Sequence, residues 1–275
     1  MQMQLQHIKL PPQLRGYINK MWIFESSGRV SREDMKLIVP DGMAKLTIPF
    51  RNGVSGKNKD YFHLSKESQI TLIGIQDMPA IVDVEHDAPH GNIGIEFSPL
   101  GAYRIFQLRH SELKNKLFLL EEIFGKSARE IQEMIANTED VIEKIQLIQG
   151  YLSKLLSKSE PDLVIDYCIR QIEKSKGLVT VMELERKTGY SSRWIYEKFK
   201  EKVGLSPKNL SSVVRFNQFY QQWAKRPKPD FFKENIYHYF YDQGHFIKEF
   251  KRFTGLSPLK FVKSENEFGR IFYKN

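Results

Sequence analysis

Two different periods run along this chain. As far as about Phe97 the apolar residues come in short runs: "KLIVP", "MAKLTIPF", "QITLIGI", "AIVDVEH" and "NIGIEFSP". Gly, Pro, Asn and Asp separate them, and such runs predict the short strands of a small barrel or sandwich. Asp41-Gly42, between the first two runs, predicts a hairpin or a tight turn. After Ser98-Pro99 the period changes. "GAYRIFQL" predicts a short helix, and from Leu119 to Leu156 apolar residues recur at helical spacing, among them Ile131, Ile135, Ile145, Ile148 and Leu152. Gly125 and Asn137-Thr138 cut this stretch into two or three helices. "SKSEP" at 157–161 predicts a linker, and the pattern beyond it is helical almost to the end. The fold class is therefore α+β in two domains, with a β-rich domain ending in helices over 1–160 and an all-α domain over 161–275.

The helical half contains a repeat. "FKEKVGLSP" begins at Phe199 and "FKRFTGLSP" at Phe250, 51 positions later. Before the first copy, Thr180 and Glu183 have capping-box spacing, Gly189 can end a helix, and Ser191 or Ser192 can cap the next. Helix, tight turn with glycine, helix is a helix-turn-helix pattern. In its second helix Ile195, Phe199 and Val203 fall on one row, which predicts a buried face. Arg193, Glu197 and Glu201 fall opposite, with Tyr196 and Lys200 on the flanks. In the second copy Asp242 can cap, Phe246, Phe250 and Phe253 face inward, and Lys248 and Lys251 face outward beside His245 and Arg252. "LSSVVRFNQFYQQWA" predicts the helix that joins the two units. Pro227 and Pro229 in "WAKRPKPDFF" would end it and start the second unit.

Charge sharpens the picture. Residues 161–275 hold 22 Lys and Arg against 13 Asp and Glu, a net of +9, whereas residues 1–160 hold 20 of each. All the excess positive charge lies in the helical half, as in a polyanion-binding module joined to a neutral one. A polar-faced helix beside Lys and Arg suits the major groove, with side chains at base edges and cations on phosphates.

Residues of about 162–263 resemble the AraC-type tandem helix-turn-helix domain of bacterial transcription regulators. The residues that carry the resemblance are "TGYSSRWIYEKFKEKVGLSP", "VVRFNQF" and "FYDQGHFIKEFKRFTGLSP". "YINKMWIFES", "LIVPDGMAKLTI" and "GIEFSPLGAYRIF" resemble the sensory half of some members. The resemblance implies a cupin-like barrel with dimerisation helices, followed by a DNA-binding domain that reads two successive major grooves of double-stranded DNA. It implies DNA contacts at Arg193, Tyr196 and Glu197 in the first unit and at Gln243, His245 and Lys248 in the second. Lys200, Lys251 and Arg252 would add phosphate affinity. A small-molecule effector, a homodimer and, for an activator, RNA polymerase are the implied partners. The sequence departs from the family pattern at Glu185, Asn235, Tyr239 and Gly244. Tyr239 stands where a left-handed glycine is usual, which predicts a strained turn.

The rival readings are a small-molecule or metal-dependent enzyme in the barrel, and a protein-interaction module with degenerate helix-turn-helix units. His86 and His90, in "HDAPHG", with Glu96 would be the metal ligands, but they flank a proline and read better as a solvated turn. No phosphate-binding glycine loop is present and no Ser-His-Asp grouping can be argued from spacing, so neither a cofactor nor catalysis is expected. Trp22 and Phe24 would line an effector pocket or fill the barrel core. Cys168, the lone cysteine, reads as a small core residue. With no apolar run of membrane length and no leader pattern, a cytoplasmic protein is expected.

Overall fold

The structure, a computed structural model, describes residues 3–27, 33–84, 88–156, 162–224 and 236–273. The β-rich half contains β1 (Met3–Ile8), β2 (Ile18–Ser26), β3 (Leu37–Ile38), β4 (Lys45–Arg51), β5 (Val54–Lys57), β6 (Phe62–Ser65), β7 (Thr71–Ile73), β8 (Ala80–Val84) and β9 (His90–Phe97). Then follow α1 (Gly101–Phe106), α2 (His110–Leu113), β10 (Leu117–Leu119), α3 (Leu120–Phe124), α4 (Lys126–Ala136) and α5 (Val141–Leu156). Gly125, at φ 54°, separates α3 from α4, where the sequence placed a break.

All strand pairing between these elements is antiparallel. One sheet has the order β1-β2-β9-β4-β7-β10 and the other β3-β8-β5-β6. Its register explains the burial. Met21 lies opposite Ile95, Ile95 opposite Leu46, and Leu46 opposite Leu72, so one apolar row crosses four strands. That face packs on Ala102, Ile105 and Phe106 of α1 and on Ile131, Ile145, Ile148 and Leu152 of α4 and α5. Side chains alternate across a strand, so Trp22, Phe24, Thr47 and Glu96 turn to the other face, toward the second sheet. A Cβ on Gly94 would fall 2.2 Å from the Trp22 indole, so only glycine lets the ring lie flat across β9.

Asp41-Gly42 does form a turn, with Gly42 at φ 77° and Asp41 Oδ1 accepting from Met43 N at 3.0 Å. It is not a hairpin. β3 pairs with β8, and β4 pairs with β7 and β9, so the turn carries the chain from one sheet to the other.

The helical half contains α6 (Leu163–Lys174), α7 (Val181–Thr188), α8 (Ser192–Lys202), α9 (Pro207–Ala224), α10 (Gln243–Thr254), α11 (Pro258–Val262) and α12 (Glu267–Ile271). Its core gathers Ile165, Cys168, Ile195, Phe199, Val213, Phe216, Phe250 and Phe253. Cys168 is buried there as expected, and burial pushes its thiol up to about 11. Leu37, Val39, Ile75 and Leu100 of the β-rich half join the same core. The chain then returns to the sheets. Asn266 exchanges two hydrogen bonds with the backbone of Leu37, at 2.8 and 2.9 Å. Phe268 N donates to Asp34 Oδ2 at 2.9 Å, and the Tyr273 hydroxyl donates to Val39 O at 2.8 Å. The expected linker at 157–161, with the boundary drawn there, and Pro227 and Pro229 lie outside the described residues.

Candidate nucleic-acid interface and adjoining cavity

The first unit is built from local signals. Thr180 and Glu183 form a reciprocal capping box at the start of α7, and Gly189, at φ 75°, ends that helix. Ser191 caps α8 by accepting from Trp194 N. Glu185 accepts from Ser192 Oγ at 2.8 Å and so ties the two helices across their turn. In the second unit Asp242 caps α10 by accepting from His245 N at 2.7 Å, and Gly255, at φ 76°, closes it. Both helices pack on α9. Ile195, Phe199 and Val203 are buried, as are Phe246, Phe250 and Phe253.

Tyr239 needs correction. It is not left-handed, because the positive-φ residues other than glycine are Lys36, Asn52, Ser68, Gln107, Asn115 and Lys176 among those described. A single turn of 3-10 helix, Ile236–His238, precedes it. The amides of Tyr239 and Phe240 both donate to Ile236 O, at 2.9 and 2.8 Å. The Tyr239 ring then packs edge-on to Phe219 at 6.3 Å. The turn is made by a different geometry, so the expected strain is absent. Asn235 lies outside the described residues.

The nine candidate DNA-contacting residues fall on the two expected helices. Arg193, Tyr196, Glu197 and Lys200 are exposed on α8, with the Lys200 ammonium 5.4 Å from the centre of the Tyr196 ring. Gln243, Lys248 and Lys251 are exposed on α10. His245 is half-buried, and its Nδ1 accepts from Tyr241 N at 3.3 Å. Arg252 is engaged within the molecule. It lies 3.5 Å from Glu249 and 3.8 Å from Asp77, and stacks on Phe253 at 4.8 Å. One feature escaped the sequence pattern: Tyr190 stacks on Trp194 at 4.2 Å and forms an aromatic step at the start of α8.

Asp77 belongs to a strap, residues 75–80, that joins β7 to β8. Its side chains divide between two surroundings. Ile75 enters the helical core, and Asp77 reaches Lys114 at 2.7 Å as well as Arg252. A Cβ on Gly204 would fall 2.6 Å from Ile75 Cγ2, and one on Gly255 would fall 3.9 Å from Pro79 Cγ. The glycines of the repeated "GLSP" motif thus both abut this strap. Its other residues, Gln76, Met78 and Ala80, line a cavity between the two sheets.

That cavity has a volume of about 160 Å³. Trp22 and Phe24 line it and also pack with Phe268 in a buried cluster, so the structure gives them both of the expected surroundings. Phe268, Phe272 and Tyr273, from the last described residues, also line it. Four charged side chains also line it. Lys45 binds both oxygens of Asp41, at 2.7 and 2.6 Å, and Glu96 lies 3.7 Å from Lys45 and 3.4 Å from Lys20. Burial, with Asp41 alongside, pushes Glu96 up to about 7. Burial alone would raise Asp41, but Lys45, the Glu96 hydrogen bond and Lys20 together hold it below its usual range.

His90 is not in a solvated turn. It opens β9, is buried, and lines the cavity, where burial pushes it down to about 4. His86 lies outside the described residues. Among those described, no three His, Cys, Asp or Glu residues come together as metal ligands.

A family profile described as a domain of unknown function, DUF6597, matches residues 6–118. No curated protein matches. Among solved structures the chain is similar to ToxT from Vibrio cholerae O395, at 16% identity over 88% of this chain and 97% of that one, with a TM-score of 0.46. It is similar to wild-type ToxT from strain SCE256 bound to an unsaturated fatty acid, at 12% identity over 91% and 98% of the two chains, with a TM-score of 0.48. The AraC-like transcriptional activator CuxR aligns over 74% of each chain at 15% identity, with a TM-score of 0.24.

Proposed function

We propose that this chain is an AraC-type transcription regulator that binds double-stranded DNA through two helix-turn-helix units. The observation that carries the reading is the construction of α8 and α10. Each is capped at its start, closed by a left-handed glycine, packed on α9 through an apolar row, and exposed along a polar face. They lie in the half that carries the whole net charge of +9. Arg193, Gln243, His245 and Lys248 would read bases in successive major grooves, with Tyr196 and Glu197 beside them. Lys200 and Lys251 would bind phosphate. The two facing sheets would form the cupin-like sensory domain, residues 1–160, and the remainder the reading domain. An effector in the cavity would act through the strap, whose alternate residues touch cavity and units. A homodimer, contact with RNA polymerase and a cytoplasmic location belong to the same reading. No helix among the described residues is long and apolar enough to cross a membrane.

Lys248→Ala tests the assignment of α10. If Lys248 reads a base, the substitution costs about 1–3 kcal/mol on the preferred site and little on scrambled DNA. An equal loss on both sequences would limit it to a phosphate contact.

Asp77→Asn tests the strap. It removes the carboxylate shared by Lys114 and Arg252 and leaves Arg252 only Glu249, so Arg252 is freer to reach phosphate. DNA affinity at low salt should rise about threefold to tenfold, with the slope against log salt steeper by about one. Unchanged affinity in a titration at two salt concentrations would exclude Arg252 from the DNA contact.

A further inference from the structure

The cavity between the sheets is built for a particular class of molecule. Its size is the first constraint, since 160 Å³ is close to the dry cavities of about 150 Å³ that take up one benzene ring. Its walls are the second. Phe24 meets Phe268 edge-on at 5.3 Å, Trp22 meets Phe272 edge-on at 6.0 Å, and the His90 ring lies 6.2 Å from Phe24. These are contacts among the wall rings themselves, and the surface they present favours an apolar guest.

The third constraint is the lack of a polar grip from the aromatic side chains. Trp22 Nε1 and His90 Nδ1 are buried without a hydrogen-bond partner among the described residues. Both residues line the cavity and both are more than nine-tenths buried. Both atoms are covered by protein, so a guest meets the rings rather than these atoms. His90 is held neutral by burial, so it brings no positive charge.

The fourth constraint is charge. Both cavity lysines are already engaged: Lys45 chelates Asp41, and Lys20 pairs with Glu96 at 3.4 Å and lies 5.8 Å from the centre of the Trp22 ring. With Glu96 near the point of protonation, the quartet carries between zero and one positive charge at neutral pH. That charge is spread over bonds already made. An entering carboxylate would have to displace Asp41 from Lys45, and an entering ammonium would have to displace a lysine from its carboxylate. Either guest would lose its own hydration with no free counter-charge to meet it.

We infer that the cavity binds a neutral, single-ring-sized apolar molecule, held against the Trp22, Phe24 and Phe268 rings. This names the ligand class of the effector site proposed above and rests on that reading. Binding itself is measured without DNA, so the two can fail separately.

The test uses the full chain and three probes on the same ring: phenol, benzoate and benzylammonium. Isothermal titration should show saturable one-site binding of phenol, with each charged probe at least tenfold weaker. Val82→Phe, which adds bulk at the cavity wall, should reduce phenol binding at least tenfold. If that variant does not fold, the ranking of the three probes on the unaltered protein still decides. No saturable binding of phenol, or benzoate or benzylammonium binding as tightly as phenol, overturns the inference. Selective DNA binding in the same preparation would leave the regulator reading standing even then.

Discussion

Gly204→Ala should destabilise the protein by about 2–5 kcal/mol, whereas Gly255→Ala should cost only about 1–2 kcal/mol. The two glycines occupy the same place in the repeat and have nearly the same backbone, at φ 82° and 76°. A side chain at either position is strained by the left-handed conformation. Only Gly204 adds a clash, because its Cβ would fall 2.6 Å from Ile75 Cγ2 and 2.9 Å from the His110 carbonyl oxygen. The backbone oxygen cannot swing aside, so α2 and the strap would have to move. At Gly255 the nearest atom is 3.9 Å away, an ordinary contact. Urea unfolding of both variants measures the difference. Equal losses would mean that the strap does not press on the first unit.

Stability should also fall as the pH drops from about 6.5 toward 4. Burial pushes both His90 and His110 down to about 4. Each is neutral in the fold and protonated in the unfolded chain across that window. The unfolded state then binds more protons, so stability rises with pH. Each histidine contributes on the order of 1–3 kcal/mol that is present above pH 6.5 and lost on acidification. Glu96 works in the opposite sense. Burial raises it to about 7, so between about 4.5 and 7 the fold holds a proton that the unfolded chain has released. It therefore offsets about one of the two histidine protons. Removing it by Glu96→Gln should make the acid limb of the stability curve steeper. A flatter limb in that variant, followed by denaturant melts from pH 4.5 to 7, would contradict the assignment.

The two repeated helical units were legible because their signals are local. Thr180 with Glu183, Ser191, Gly189, Asp242 and Gly255 act within four residues of their partners, and each is found in the role its type suggests. The rows Ile195-Phe199-Val203 and Phe246-Phe250-Phe253 were equally plain, since helical period alone places them. Long-range contacts leave no such trace. Phe268 bonds to Asp34 across 234 positions, and no pattern near either residue announces it. "EFGRIFY" at 267–273 has no purpose that its pattern announces, and three of its residues line the cavity. The strap was missed for a related reason. "IQDMPA" alternates in its surroundings but not in its hydrophobicity, because Asp77 is held by Arg252 and Lys114 rather than by water. His90 was misplaced because a proline beside it suggests a turn, while its side chain follows the inward alternation of β9. The repeated glycine was the one clue available: two copies of "GLSP" imply that both helix ends meet something alike.

The measurement that bears most directly on the account is selection of bound sequences from random duplex DNA by the full-length protein, with the winner's affinity followed against salt. The account predicts one defined site spanning two adjacent major grooves, bound far more tightly than scrambled DNA and weakening steeply as salt rises. Enrichment of no sequence, with weak binding that depends on salt alone, would contradict it.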